Sequence, residues 1–310
     1  MHATAIVLQE PERLEVSRLE LVPPGDNDVV VDIEYSGIST GTERLLWSGA
    51  MPPFPGMGYP LVPGYESVGR IVDAGAQAEH RIGERVFVPG ASCFGPVRGL
   101  FGGAASRLVV PSDRAHRIVD DLGEDAVLFA LAATAQHAIV GGPLPDLIIG
   151  HGVLGRLLAR LVVAAGGDCT VWERNPDRAQ GAEGYKVVDV ADDPRKDYRS
   201  ICDVSGDPKI LDTLIGRLAF GGEINLAGFY SEPLSFSFPP AFMKEARIRV
   251  AAEWKPADLA AVRTLVASGK LSLAGLITHR SAVAEAATAY RTAFSDPACL
   301  KMILDWRTVS

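Results

Sequence analysis

The chain has 310 residues, of which 47% are hydrophobic and 22% charged, with a formal net charge of −8. That length suggests about two domains, and that composition suits a packed core rather than disorder. The acidic balance, with no Lys/Arg-rich run, argues against nucleic acid or an anionic membrane as the main partner. No apolar run approaches the ~20 residues that span a bilayer, so no transmembrane segment is expected. The start, MHATAIVLQEPERLEV, reads as a strand and turn rather than a signal peptide. Cys93, Cys169, Cys202 and Cys299 stand far apart without C-x-x-C spacing, so neither a disulfide framework nor a cysteine zinc site is indicated. A cytoplasmic enzyme is the expected class.

Residues 1–117 read as short strands between Gly/Pro turns: TAIVL, VVVDIEYSG, SVGRIVDAG, RVFVPG and SRLVVP. Their alternation predicts a twisted, barrel-like β region. Residues 89–104, PGASCFGPVRGLFGGA, read either as a loop over a site or as a plain surface loop. From about 120 the pattern changes. DAVLFALAATAQHAIVGG predicts a helix with an apolar face, and LGRLLARLVVAAGG a helix ended by glycines. DLIIG, CTVWE, KVVDV, ICDVSG and EINLAGF predict buried strands. Such alternation implies a parallel sheet covered on both faces. Beyond 253 come a helix (DLAAVRTLVASG), strand-like LITHR, a helix (VAEAATAYRTAF) and a strand (KMILDW). The expected layout is an α/β chain: a β-rich catalytic domain from 1–117 and 253–310, and a doubly wound nucleotide domain at 118–252.

DLIIGHGVLG contains G-x-G-x-x-G at Gly150, Gly152 and Gly155. An apolar strand precedes it, a helix follows, and the next strand ends in Glu173, 23 residues after Gly150. This context predicts a dinucleotide site. Gly150 permits the sharp turn, Gly152 admits the pyrophosphate, and Gly155 lets helix and strand pack. The helix N-terminus at Val153 and Leu154 offers N–H donors to phosphate. Glu173 would accept from the ribose 2′-hydroxyl and repel a 2′-phosphate, favouring NAD; adjacent Arg174 could soften that preference. Gly206, after CDVS, and Gly228, after EINLA, fit a nicotinamide path along strand ends. Phe229 either lines that path or simply packs.

The order of a β-rich domain, a TAQHAI helix, GHGVLG, an acidic end of the second strand, DVSG and LAGF resembles the medium-chain dehydrogenase/reductase superfamily over the whole chain. The resemblance implies a GroES-like β-barrel domain and a Rossmann domain binding NAD(P)H, with Thr134 of the TAQHAI helix among the cofactor contacts. Zinc members of that family carry GICGTD and PGHE. Here the corresponding runs are GISTGTE (37–43) and PGYE (63–66). A cysteine ligand has become Ser39 or Thr40, the histidine ligand has become Tyr65, and the third ligand falls near Ala130. The four-cysteine structural zinc lobe is absent, so no metal is expected.

Within the superfamily, SGISTGTERLLWSGAMPPFPGMGYPLVPGYESVGRIVDAG is similar to the family that acts in bacteriochlorophyll biosynthesis. That resemblance implies oxidation of a bacteriochlorophyllide 3-(1-hydroxyethyl) group to 3-acetyl, with NAD⁺ as hydride acceptor. Trp47, Met51, Phe54, Met57 and Tyr59 would then offer an apolar wall for the macrocycle, or else ordinary loop packing. Thr42 aligns with the family's relay hydroxyl, with Ser39 and Thr40 nearby. Tyr65 is either an orienting hydrogen-bond donor or a filler of the space a metal would occupy; beside Glu66 it is a poor base at neutral pH. His151, inside the glycine loop, is a candidate phosphate contact or proton carrier, or a loop filler. Two rival readings remain: a zinc-free NAD(P)H quinone or enone reductase, and a non-catalytic nucleotide- or pigment-binding protein. EINLAGF and RIRVAAEW are the sheet edges that would pair in a homodimer by analogy with the superfamily.

Overall fold

The computed structural model describes residues 1–53 and 55–309, and every statement of absence below is made of these. The chain begins with β1 (His2–Glu10), β2 (Arg13–Glu20), β3 (Asp28–Ile38) and the short α1 (Thr42–Ser48). Next come β4 (Leu61–Val62), β5 (Ser67–Ala74), β6 (Arg85–Val88), β7 (Arg98–Gly99), β8 (Arg107–Pro111) and β9 (His116–Arg117). α2 (Phe129–Ile139) leads to β10 (Leu147–Ile149), α3 (Val153–Ala164), β11 (Thr170–Trp172), β12 (Lys186–Val188) and β13 (Tyr198–Asp203). α4 (Leu211–Arg217), β14 (Leu218–Leu226), α5 (Phe238–Lys244), β15 (Arg247–Val250) and α6 (Pro256–Ala267) follow. The last elements are β16 (His279–Ala282), α7 (Ala286–Ser295) and β17 (Met302–Asp305). No described helix is long and apolar enough to cross a membrane.

Two compact units form, Met1–Ala130 with the segment from Ala274 onward, and Leu131–Leu273. Both boundaries fall later in the chain than the sequence places them. Residues 120–128 make a 3₁₀ turn, broken at Gly123 (φ +56°), that packs on β3, β5 and β6. α6 belongs with the parallel sheet: its Asp258 carboxylate bonds His137 Nδ1 at 2.9 Å, and Arg160 donates to the Ser272 carbonyl at 2.9 Å.

In the first unit, alternating apolar residues build two sheets, ordered β16-β17-β3-β5-β6-β9, with β8 also on β3, and β2-β1-β4-β7. Ile6, Val30, Val31, Leu108, Tyr290 and Trp306 are buried in its core. β17 lies antiparallel to β3, with Met302 opposite Ile38, so the end of the chain supports the residues just before Ser39. The glycine-rich 89–104 segment is folded down, with Cys93 and Phe94 buried in that core.

The second unit holds the parallel sheet β12-β11-β10-β13-β14-β15. Strand order reverses beside β10, and the carboxyl ends of β10, β11 and β13 open there, where such sheets bind ligands. Leu147, Ile201, Leu214 and Ile224 fill the core beneath.

Candidate active site

The glycine turn shows why its residues are what they are. Gly150 leaves β10 at φ +99°. A Cβ on Gly155 would lie 1.8 Å from the Gly150 carbonyl oxygen, so only glycine lets α3 start this close to the turn. At Gly152 an added Cβ would meet nothing within 4 Å. That open side faces the first turn of α3, which no side chain caps, leaving amides and the positive end of the helix for an anion. Glu173, at the end of β11, accepts from His151 N–H at 3.0 Å and from Asn175 N–H at 2.9 Å, one on each carboxylate oxygen. The carboxylate is thereby fixed before any ligand arrives. A cleft of about 220 Å³ adjoins it, lined by Gly150, Glu173, Arg174, Ser205, Asp207 and Ile210 among others. Gly206 (φ +70°) and Gly228 meet at the ends of β13 and β14, a Cβ on Gly228 lying 3.3 Å from Gly206 N. Phe229 beside them is half exposed. Buried Asp203 braces this corner, accepting from the Tyr230 hydroxyl at 2.6 Å and from Ser205 N–H at 2.9 Å.

In the first unit, hydroxyls gather at the start of α1. The Tyr65 hydroxyl donates to Ser39 Oγ at 2.8 Å, and the Thr42 side chain hydrogen-bonds the same phenol. Because the phenol proton is given to Ser39, its oxygen accepts from Thr42. Ser39 rather than Thr40 is thus the residue brought to Tyr65. Burial and the neighbouring Glu66 hold the phenol above its ordinary pKa, against the pull of its two hydroxyl partners. Glu66 is fully buried and bound by Lys301 Nζ at 2.6 and 2.9 Å; the same amine donates to the Ile38 carbonyl at 3.2 Å. Gly37 makes room, since a Cβ there would sit 2.1 Å from Glu66 Oε2. Glu43, also fully buried, accepts from Ser39 N–H at 3.0 Å and from the Tyr290 hydroxyl at 2.9 Å. Desolvation pushes its carboxyl up to about 7. Ser39 and Tyr65 therefore present two mutually bonded hydroxyls, a donor set that does not fit zinc. Among the described residues no group of three or more His, Cys, Asp or Glu side chains could hold a metal ion.

Other expected residues fall out differently. His151 is fully buried: Nδ1 donates to the Arg178 carbonyl at 2.6 Å and Nε2 accepts from the Tyr185 hydroxyl at 2.8 Å. Burial pushes its pKa down to about 4. Both nitrogens are engaged, so the ring fills the loop and serves neither as proton carrier nor as phosphate contact; only its backbone N–H works, on Glu173. Met51 is buried with Leu8, Leu46 and Leu61, which removes it from any substrate wall. Trp47 packs against Tyr290 and Phe294, with ring centroids 6.1 and 6.2 Å away. Tyr59 gives its hydroxyl proton to the Leu46 carbonyl, so it too anchors its loop. Phe54 lies outside the described residues. Thr134 sits half-buried on α2 in the sheet unit. Sequence reasoning missed Tyr290, Lys301 and Asp207, and it passed over Glu43. Only Glu43 had a local signal, one residue after Thr42.

Comparison with known proteins fits this geometry. The Alcohol dehydrogenase GroES-like domain family matches residues 25–120. The whole chain aligns with the 2-desacetyl-2-hydroxyethyl bacteriochlorophyllide A dehydrogenase of Cereibacter sphaeroides, 59% identical and covering 100% of both proteins. The enzyme of the same name from Rhodobacter capsulatus is 58% identical over 99% of each. The chain belongs to their family, within the medium-chain dehydrogenase/reductase superfamily. At the level of fold, the short chain alcohol dehydrogenase of E. coli CFT073, solved with NADH, superposes with a TM-score of 0.84 at 23% identity, covering 98% of this chain and 99% of that one.

Proposed function

We propose that this family member oxidises the hydroxyethyl substituent of a bacteriochlorophyllide to acetyl, without a metal. The end-to-end 59% identity to a dehydrogenase named for that substrate carries the reading. The chemistry balances as R–CH(OH)–CH₃ + NAD⁺ → R–CO–CH₃ + NADH + H⁺. NAD⁺, when bound, supplies the hydride acceptor. The open amides of α3 and Gly152 would hold its pyrophosphate, and the preset Glu173 carboxylate its ribose diol. Proton handling falls to the hydroxyl line of the first unit. Thr42 donates to Tyr65 and Tyr65 to Ser39, so an alcohol donating to Thr42 could lose its proton by a concerted shift along that line, with the Ser39 hydroxyl passing its own proton to water as the H⁺ of the equation. The raised pKa of Tyr65 favours such a shift over a free phenolate. The buried thiols of Cys93, Cys169 and Cys202 support a reducing, cytoplasmic setting.

The test mixes purified protein with NAD⁺ and the hydroxyethyl pigment and follows the pigment's red absorption band. Conversion by a preparation free of zinc, undiminished by chelator, is the expected result. One zinc per chain, with activity lost on chelation and restored by zinc, would remove the metal-free part. Reduction of quinones or enones with NADPH, but no pigment oxidation, would favour the reductase reading. Binding of both ligands without turnover would leave a carrier.

The partner we assign to this chain is a second copy of itself. β15 ends the sheet, and Phe220, Phe236, Phe238, Phe242, Met243 and Ile248 line an exposed groove of about 440 Å³ beside it. An edge strand meets its own copy in antiparallel register about a twofold axis.

A further inference from the structure

We propose that Asp207 sets the choice between NAD⁺ and NADP⁺ by keeping Arg174 from the ribose 2′ position. The inference rests on the dinucleotide reading of the cleft and deepens it. Glu173, positioned by a backbone N–H on each oxygen, keeps lone pairs for the ribose diol and its charge against a phosphate, but the cation next to it also bears on the choice. Arg174 is the next residue, lines the same cleft, and has a side chain 71% exposed. A guanidinium is the side chain best suited to a phosphate. Left alone, Arg174 would attract a 2′-phosphate and offset repulsion from Glu173.

Asp207 lines the cleft from the loop after β13. Its position is built: Oδ1 accepts from Lys209 N–H at 2.9 Å, and its own N–H donates to Ser205 Oγ at 3.1 Å. That leaves Oδ2 facing Arg174 Nη1 at 4.0 Å. A pair this exposed adds little to stability. Its effect is on local charge: the guanidinium is answered by Asp207 instead of by a ligand phosphate. A 2′-phosphate would meet the Glu173 carboxylate and a cation already engaged by Asp207, whereas a 2′-hydroxyl meets an acceptor.

Calorimetry of the full-length protein with NAD⁺ and with NADP⁺ tests this. Asp207→Asn keeps the acceptor for Lys209 and removes the charge. It should lower the ratio Kd(NADP⁺)/Kd(NAD⁺) about tenfold, the scale of one partly screened charge at this distance. In an Arg174→Ala background the same substitution should leave the ratio unchanged. An unaltered ratio in Asp207→Asn would overturn the proposal. So would an equal fall with Arg174 already removed, since Asp207 would then act on the phosphate directly. If the unmodified protein binds neither dinucleotide, the reading beneath the proposal fails, and the proposal with it.

Discussion

Tyr65 keeps its proton at neutral pH, because burial and Glu66 both disfavour the phenolate. Its contribution is then as a donor and link, and Tyr65→Phe removes only that. The expected loss is on the order of 10²–10³-fold in kcat. Thr42→Val should cost as much or more, being the hydroxyl assigned to the alcohol. Full activity in Tyr65→Phe, with only a lowered melting point in Tyr65→Ala, would reduce Tyr65 to a space-filler. Glu43 gives a different signal. Its carboxyl rises from 4.5 to about 7 through desolvation and the nearby Glu66, opposed by Ser39 N–H, Tyr290 and Lys301. The folded state thus prefers the protonated acid. That contribution is complete below the unfolded pKa and is lost as pH rises through about 7, roughly 3 kcal/mol in all. Glu43→Gln mimics the protonated form and should flatten the slope. Melting points taken near pH 5 and pH 8 should fall for the parent protein and hold for the variant; parallel falls would exclude Glu43 as the source.

At the scale of elements, the turn between β10 and α3 separates two kinds of glycine. Gly155 is demanded by the protein itself, since its Cβ would enter the Gly150 carbonyl. Gly152 has an allowed extended backbone (φ −74°, ψ −170°) and open space around it, so nothing in the fold requires glycine there. Gly155→Ala should therefore destabilise by about 1–3 kcal/mol or more. Gly152→Ala should melt within ~2 °C of the parent, because alanine suits that backbone, yet bind NAD⁺ at least about tenfold more weakly by crowding the phosphates. Undiminished NAD⁺ affinity in Gly152→Ala would place the dinucleotide elsewhere. His151 sits in the same turn and was legible only as a position. Its fate depended on Arg178 and Tyr185, which lie 27 and 34 residues along the chain.

For the whole molecule, the open edge of the parallel sheet is the feature that the chain alone does not satisfy. Phe220, Met243 and Val250 are more than two-thirds exposed there. Exposed apolar groups beside an unpaired strand favour association. Sedimentation should show a dimer at micromolar concentration, and Val250→Lys, which charges the edge strand, should give monomers. A monomeric parent protein would withdraw the second copy as partner.

The sequence by itself determined the parallel sheet, the glycine turn and Glu173 at the end of β11. Each is written in local spacing: a strand period, a helix period, or glycines where a backbone must turn or pass closely. Only the tertiary structure decided what surrounds them. Lys301 reaches Glu66 across 235 residues and Tyr290 reaches Glu43 across 247, and no local pattern encodes such pairings. The same holds for Trp47 and Met51, whose apolar character fitted either a pigment wall or ordinary packing until their neighbours were known. Periodicity fixes which way a segment folds, whereas burial and charge pairing depend on which distant segments meet, and those meetings turned two buried glutamates, a phenol and a lysine into one network.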